Sequence, residues 1–308
     1  MTAAFHGVVP PLVTPLTAVG ELDEASLGRV VEEQIAAGVS ALFVGGSTAE
    51  VALQPDRVRR RAVEVAVRVA AGRVPVYAGA IDTGTLRVID HAVAAVAAGA
   101  AAVVATPPFY VTPSVSEVVR HYECLAAAVG VPVIAYDIPA ATHSPLPLPA
   151  LEQLARQGTI TAFKDSSGDL AGFRRALALL EGTGVTALTG SEVFADLAVQ
   201  LGASGIVPGL GNVDPHGYPA ILLAVEAGDP AAAAAEQQRL IELFTIIDVA
   251  DRTRIGFTAA ALGAFKAAMW LRGVLDSPRT FEPFGALTAE EIDRIREILV
   301  CAGLTVVR

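Results

Sequence analysis

The chain has 308 residues, 53% of them hydrophobic, and a formal net charge of -10 at pH 7. That acidity argues against a nucleic-acid partner, because phosphate binding needs a basic surface. No apolar stretch reaches the roughly 18–20 unbroken residues of a bilayer span, so no membrane partner is expected, and the length suits a barrel of about 200–250 residues with an added helical piece.

Short apolar, β-branched runs lie at residues 8–13, 41–44, 74–78, 101–105, 131–136, 160–164, 185–188 and 205–207. Each is continuous, without polar alternation, as in parallel strands buried on both faces. Helical patterns separate them. Asp23 opens a helix over residues 24–37 that Gly38 stops, and Pro55 and Asp56 open another that runs to residue 71. Stretches 83–98 and 114–129 end at Gly99 and Gly130, and Gly158, Gly184 and Gly202 punctuate the later units in the same way. Eight β-then-α units predict an α/β fold, a (β/α)8 TIM barrel, rather than a doubly wound open sheet.

After about Pro215 the rhythm changes. Stretches 220–227, 230–248, 258–271 and 288–302 read as helices with no strand between them. The barrel is therefore expected to close near Asn212. Residues 1–214 form its core, and residues 215–308 the last barrel helix and a C-terminal helical extension.

Arg57, Arg59, Arg60 and Arg61 begin a helix that continues to Arg68, and read as a solvated helix face. Cys124 and Cys301 lie far apart, with no CxxC, and do not make a disulfide framework. The five histidines, His6, His91, His121, His143 and His216, show no HxH or HExxH spacing, so neither a metal nor another cofactor is expected. No basic segment followed by an apolar core marks a signal peptide, which makes the cytoplasm the default location.

In a barrel of this kind the reactive residues sit at the C-terminal ends of the strands. The sixth predicted strand ends in Phe163-Lys164-Asp165-Ser166-Ser167-Gly168. A buried ammonium is costly, and desolvation favours the neutral amine, a nucleophile towards ketone carbonyls. A lysine there can equally snorkel to water or pair with Asp165 or Glu192. Tyr136 ends the neighbouring fifth strand, where a phenol can shuttle protons or merely lid the core. Ser47 and Thr48 sit in a glycine-rich turn whose hydroxyls and amides suit a carboxylate, and Ser47-Thr48-Ala49-Glu50 also fits a capping box.

These motifs together resemble the dihydrodipicolinate synthase / N-acetylneuraminate lyase family of pyruvate-dependent class I aldolases. The resemblance runs through Gly7 to Pro15, Gly46 to Glu50, Thr106-Pro107 with Phe109-Tyr110, Tyr136-x-Ile138-Pro139, Lys164-Asp165-x-Ser167-Gly168, Gly190-x-Glu192, and Pro278-Arg279 with Pro283 and Glu290-Glu291-Ile292. It implies that Lys164 forms an imine with the 2-oxo acid pyruvate and that Tyr136 moves the proton. Ser47 and Thr48 would hold the carboxylate and complete a relay to Tyr136. Tyr110 would reach the active site of a neighbouring subunit in a homotetramer, and Val207 would offer backbone contacts near the imine.

Ser166 and Gly190, at the ends of the sixth and seventh strands, join the expected substrate contacts. Where dihydrodipicolinate synthases carry an arginine for the aldehyde's carboxylate, this chain has Ala141; where sialate lyases pair two acids, it has Glu192 followed by Val193. Asp137, His143 and Glu192 are the candidates for a second-substrate pocket. The leading expectation is a carbon–carbon lyase that cleaves or forms a 2-oxo-3-deoxy sugar acid, with an aldehyde as pyruvate's partner. Dihydrodipicolinate synthesis, deoxy-sugar-acid dehydration and a pyruvate-binding scaffold without turnover are the alternatives.

Overall fold

A computed structural model describes residues 5–308; the first four residues of the expected barrel core lie outside it. The strands are β1 (Gly7–Val8), β2 (Leu42–Val44), β3 (Val76–Gly79), β4 (Ala102–Ala105), β5 (Val133–Asp137), β6 (Ala162–Asp165), β7 (Thr186–Thr189) and β8 (Gly205–Ile206). Neighbours run in sequence order from β2 to β8 and then to β1, all parallel. Between β1 and β2, Ser40 N–H donates to Val8 C=O at 2.9 Å, Phe43 N–H to Pro10 C=O at 3.0 Å, and Leu12 N–H to Phe43 C=O at 2.8 Å. Those bonds close the sheet into a TIM barrel. Each observed strand overlaps one of the apolar runs, because burial on both faces is written directly into composition.

Asn212, in the turn after β8, fastens that end of the barrel to the segment after β1. It is fully buried; its side-chain oxygen accepts from Val13 N–H at 3.0 Å, and its amide donates to Pro11 C=O at 2.8 Å. Gly79 makes the β2–β3 approach possible, since a Cβ there would lie 1.9 Å from Gly45 O.

The helices that cover the barrel are α1 (Glu24–Ala36), α2 (Asp56–Ala70), α3 (Thr85–Ala97) and α4 (Val115–Ala128), then α5 (Pro139–Thr142), α6 (Leu148–Arg156), α7 (Leu170–Leu180), α8 (Ala195–Gln200) and α9 (Gly217–Glu226). Asp23 caps α1 by accepting from Ser26 N–H at 3.0 Å. The single turn α5, with Pro139 at its first position, stands where the sequence suggested only a loop. The basic stripe of α2 is solvated at Arg57, Arg60, Arg61 and Arg68. Arg59 departs from that expectation: it donates to Val51 C=O at 2.6 Å and to Ile81 C=O at 3.0 Å, tying the loop after β2 to the loop after β3.

Beyond α9 follow α10 (Pro230–Phe244), α11 (Phe257–Leu271) and α12 (Ala289–Cys301). The expected continuous helix over residues 230–248 instead ends at Phe244 and passes into a tighter turn over Thr245–Asp248. Thr288 and Glu291 form a reciprocal capping box at the start of α12. Among the described residues, no helix is long and apolar enough to cross a membrane.

Candidate active site

Strand pairing decides which side chains meet at the barrel mouth. Tyr136 of β5 and Lys164 of β6 are register partners, so both project to the same, interior face. Lys164 Nζ lies 3.9 Å from the centroid of the Tyr136 ring and 5.2 Å from that of Phe43 on β2. Phe43 in turn meets Tyr136 edge-on at 6.4 Å. Lys164 is 4% exposed and Tyr136 2%, so the amine is held against aromatic faces rather than reaching water. Gly190 leaves room for the lysine stem, because a Cβ there would sit 2.1 Å from Ser166 Oγ and 3.0 Å from Lys164 Cε.

Both groups open into a cavity of 320 Å³. Ser47 and Thr48 line it from the loop after β2, and Ser166, Gly190, Glu192 and Val207 line it from the ends of β6, β7 and β8. Glu192 accepts from Gly209 N–H at 2.9 Å through Oε1. Burial raises its pKa, while that N–H and the charge of Lys164 oppose the rise. Lys164 is the only cationic side chain among the lining residues, and among the described residues no three His, Cys, Asp or Glu side chains gather as a metal site.

Three expected site residues are not brought to this cavity. Asp137 follows Tyr136 on the strand and therefore faces the opposite side of the sheet. There it accepts from Leu146 N–H at 2.9 Å and pairs in register with Asp165. Burial pushes its carboxyl up to about 6, against the Leu146 hydrogen bond and with added repulsion from Asp165. His143 ends α5 in the left-handed region, φ 52°, with an exposed side chain. Tyr110, also left-handed at φ 73°, is 95% exposed and lies outside the cavity of its own chain.

The capping-box reading of Ser47 to Glu50 also needs correction. Ser47–Ala49 forms a short 3-10 turn and Glu50 takes φ 63°, which swings its carboxylate away from Ser47. Glu50 instead pairs with Lys266 of α11 and accepts from Phe281 N–H at 2.6 Å.

Sequence reasoning missed the outer wall of the cavity. Phe244, Ile247, Phe257, Ala261, Leu262 and Phe265 come from α10, the turn after it and α11, and face Ala140 and Ala141 across the mouth. One signal was available: α11 is apolar around nearly its whole circumference, as a helix covered on all sides must be.

The model of the dihydrodipicolinate synthetase family matches residues 4–302. A 4-hydroxy-tetrahydrodipicolinate synthase of Hyphomonas neptunium is 35% identical over 301 residues, covering 97% of this chain and 99% of that protein. A prophage protein of the dihydrodipicolinic acid synthase family from E. coli, solved in complex with pyruvate, superposes with a TM-score of 0.91 at 27% identity, covering 98% of this chain and 100% of that one. Dihydrodipicolinate synthase from Bacteroides thetaiotaomicron gives the same TM-score at 30% identity, again over 98% and 100% of the two chains. Matched from end to end in sequence and in fold, the chain belongs to the dihydrodipicolinate synthetase family, the pyruvate-dependent class I aldolases that work as carbon–carbon lyases through a Schiff base.

Proposed function

We propose that Lys164 forms the imine with pyruvate and that Tyr136 moves the protons of the aldol step. The observation that carries this reading is the contact of the Lys164 amine with the Tyr136 ring in the cavity that both side chains line. The amine adds to C2 of pyruvate and the ketone oxygen leaves as water. Loss of a C3 proton towards Tyr136 gives the enamine, whose C3 forms the new carbon–carbon bond to an aldehyde. The aldehyde oxygen takes up the proton, and water then hydrolyses the imine to release a 4-hydroxy-2-oxo acid and free Lys164. Cleavage is the same sequence reversed.

Ser47 and Thr48, from the loop after β2, are the assigned contacts for the pyruvate carboxylate, with Val207, Ser166 and Gly190 shaping the site around the imine. Tyr110, exposed beside the 58% exposed Val111, is the residue assigned to a neighbouring subunit's site in a cytoplasmic homotetramer. Among the acids expected to hold a hydroxylated tail, Glu192 alone faces the cavity, and Gly209 N–H already occupies one of its oxygens. Against dihydrodipicolinate synthesis, the activity for which the Hyphomonas neptunium relative is named, stands Ala141, which offers no cation for the aldehyde's carboxylate.

Hydrogen exchange tests the assignment. In D2O the wild-type enzyme should exchange the C3 hydrogens of pyruvate, and Tyr136→Phe should slow that exchange by about 10²–10⁴-fold while still being trapped by borohydride. Near-normal exchange in Tyr136→Phe would reduce the phenol to a packing role.

A further inference from the structure

The cavity has two chemically different halves. Lys164, Tyr136, Thr48, Ser166 and Glu192 make the inner half polar, and Ser47 stands at the junction with the second cavity. The outer half is carbon: Ile247, Leu262 and Phe265 are at most 7% exposed, and Thr258 is the one polar side chain that the helical extension adds.

A second cavity of 170 Å³ adjoins the first, and the two share Ser47, Ile138, Ala141, Thr258 and Leu262 as lining. The annex is further walled by Val51, Leu53, Ile81, Phe109 and Phe284. Five polar side chains interrupt that apolar wall, Ser47, Glu50, Thr106, Thr142 and Thr258, and two of them are committed elsewhere. Glu50 is held by Lys266 and Phe281 N–H, and the Thr142 hydroxyl donates to Ile138 C=O at 3.1 Å. Thr106 is buried with its hydroxyl unpartnered, and Ser47 and Thr258 stand where the two cavities join.

We propose that the aldehyde accepted by the enamine carries an apolar tail, an aromatic ring or a branched alkyl group, seated between Ala141, Ile138 and Leu262 and extending into the annex. The inference rests on the imine reading above and names the second substrate's class. Size agrees with it, since an apolar cavity of about 150 Å³ holds a benzene ring. Chemistry agrees as well. A polyhydroxylated tail would give up a water partner at each hydroxyl and meet carbon in return, and a carboxylated tail would find no cation beyond the one consumed in the imine. Thr106 Oγ1 supplies a hydrogen bond for a single polar substituent on the ring.

The reaction balances without an outside reagent. Pyruvate and the aldehyde join through one new bond between pyruvate C3 and the aldehyde carbon. The C3 proton reaches the aldehyde oxygen by way of Tyr136, and the water lost on imine formation returns on hydrolysis.

The test compares kcat/KM at saturating pyruvate for benzaldehyde and 3-methylbutanal with that for erythrose and glyceraldehyde. The apolar aldehydes should exceed the hydroxylated ones by roughly tenfold or more, and Leu262→Asn should narrow that ratio. Deuterium exchange at pyruvate C3, run on the same wild-type preparation, separates the two layers of the argument. If exchange occurs and the hydroxylated aldehydes react equally well or faster, or no aldehyde reacts, the apolar-acceptor proposal is overturned and the imine stands. If exchange is absent, both fall.

Discussion

Glu50 and Lys266, 216 positions apart by their numbering (266 − 50), form an ion pair with no exposed side-chain surface. The pair fastens the loop that carries Ser47 and Thr48 to α11, the helix that walls the cavity. Lys266 also donates to Arg279 C=O at 3.0 Å. Burial lowers the Lys266 pKa, and the neighbouring Glu50 carboxylate opposes that effect.

Removing one partner strands a buried charge. Lys266→Met is expected to lower stability by about 3–5 kcal/mol. The double variant Glu50→Gln with Lys266→Met should lose clearly less than the sum of the single changes. Urea unfolding of the three variants checks this; strictly additive losses would mean that the pair does not act as a unit.

Asp137 gives the molecule a pH dependence opposite to that of a paired carboxylate. Its folded pKa is pushed up to about 6 by burial, so between about pH 4 and 6 the unfolded chain has released a proton that the folded chain still holds. Stability from this group is therefore greatest at low pH and falls as pH rises through that window, by up to about 3 kcal/mol. Asp137→Asn should remove that fall, so the stability difference between variant and wild type widens from pH 4 to pH 7. A difference that stays constant across the range would contradict the assignment.

How much of this was legible beforehand depended on whether the signal was local. The eight strands and the caps at Asp23 and Gly38 are written in contiguous residues, and Lys164 and Tyr136 stand out because each ends an apolar run. Asp137 was misjudged at one-residue resolution: adjacent strand residues face opposite sides, so a shift of one exchanges substrate for the helix layer. Glu50 fitted a local capping pattern, yet it takes φ 63° and its partner Lys266 lies on α11, far away in sequence. The apolar outer wall was invisible for the same reason, since nothing near Leu262 or Phe265 in sequence says which part of the barrel they cover.

Ala141 lines both cavities and governs whether a carboxylated aldehyde is accepted. The wild-type enzyme is expected to condense pyruvate with aspartate semialdehyde negligibly. Ala141→Arg should raise that activity, relative to a neutral aldehyde, by about 10–100-fold, the value of one charge-assisted hydrogen bond. Aspartate semialdehyde as the best partner of the unmodified enzyme would return the biosynthetic alternative.

Lys164 as the nucleophile can be tested with a clean internal control, because Lys266 is the only other lysine of the chain. Incubation with pyruvate and borohydride followed by peptide mapping reads the answer directly. Reductive labelling is expected at Lys164 alone, since Lys266 is buried against Glu50 outside the cavity. Label found mainly on Lys266, or no pyruvate-dependent label at all, would contradict it.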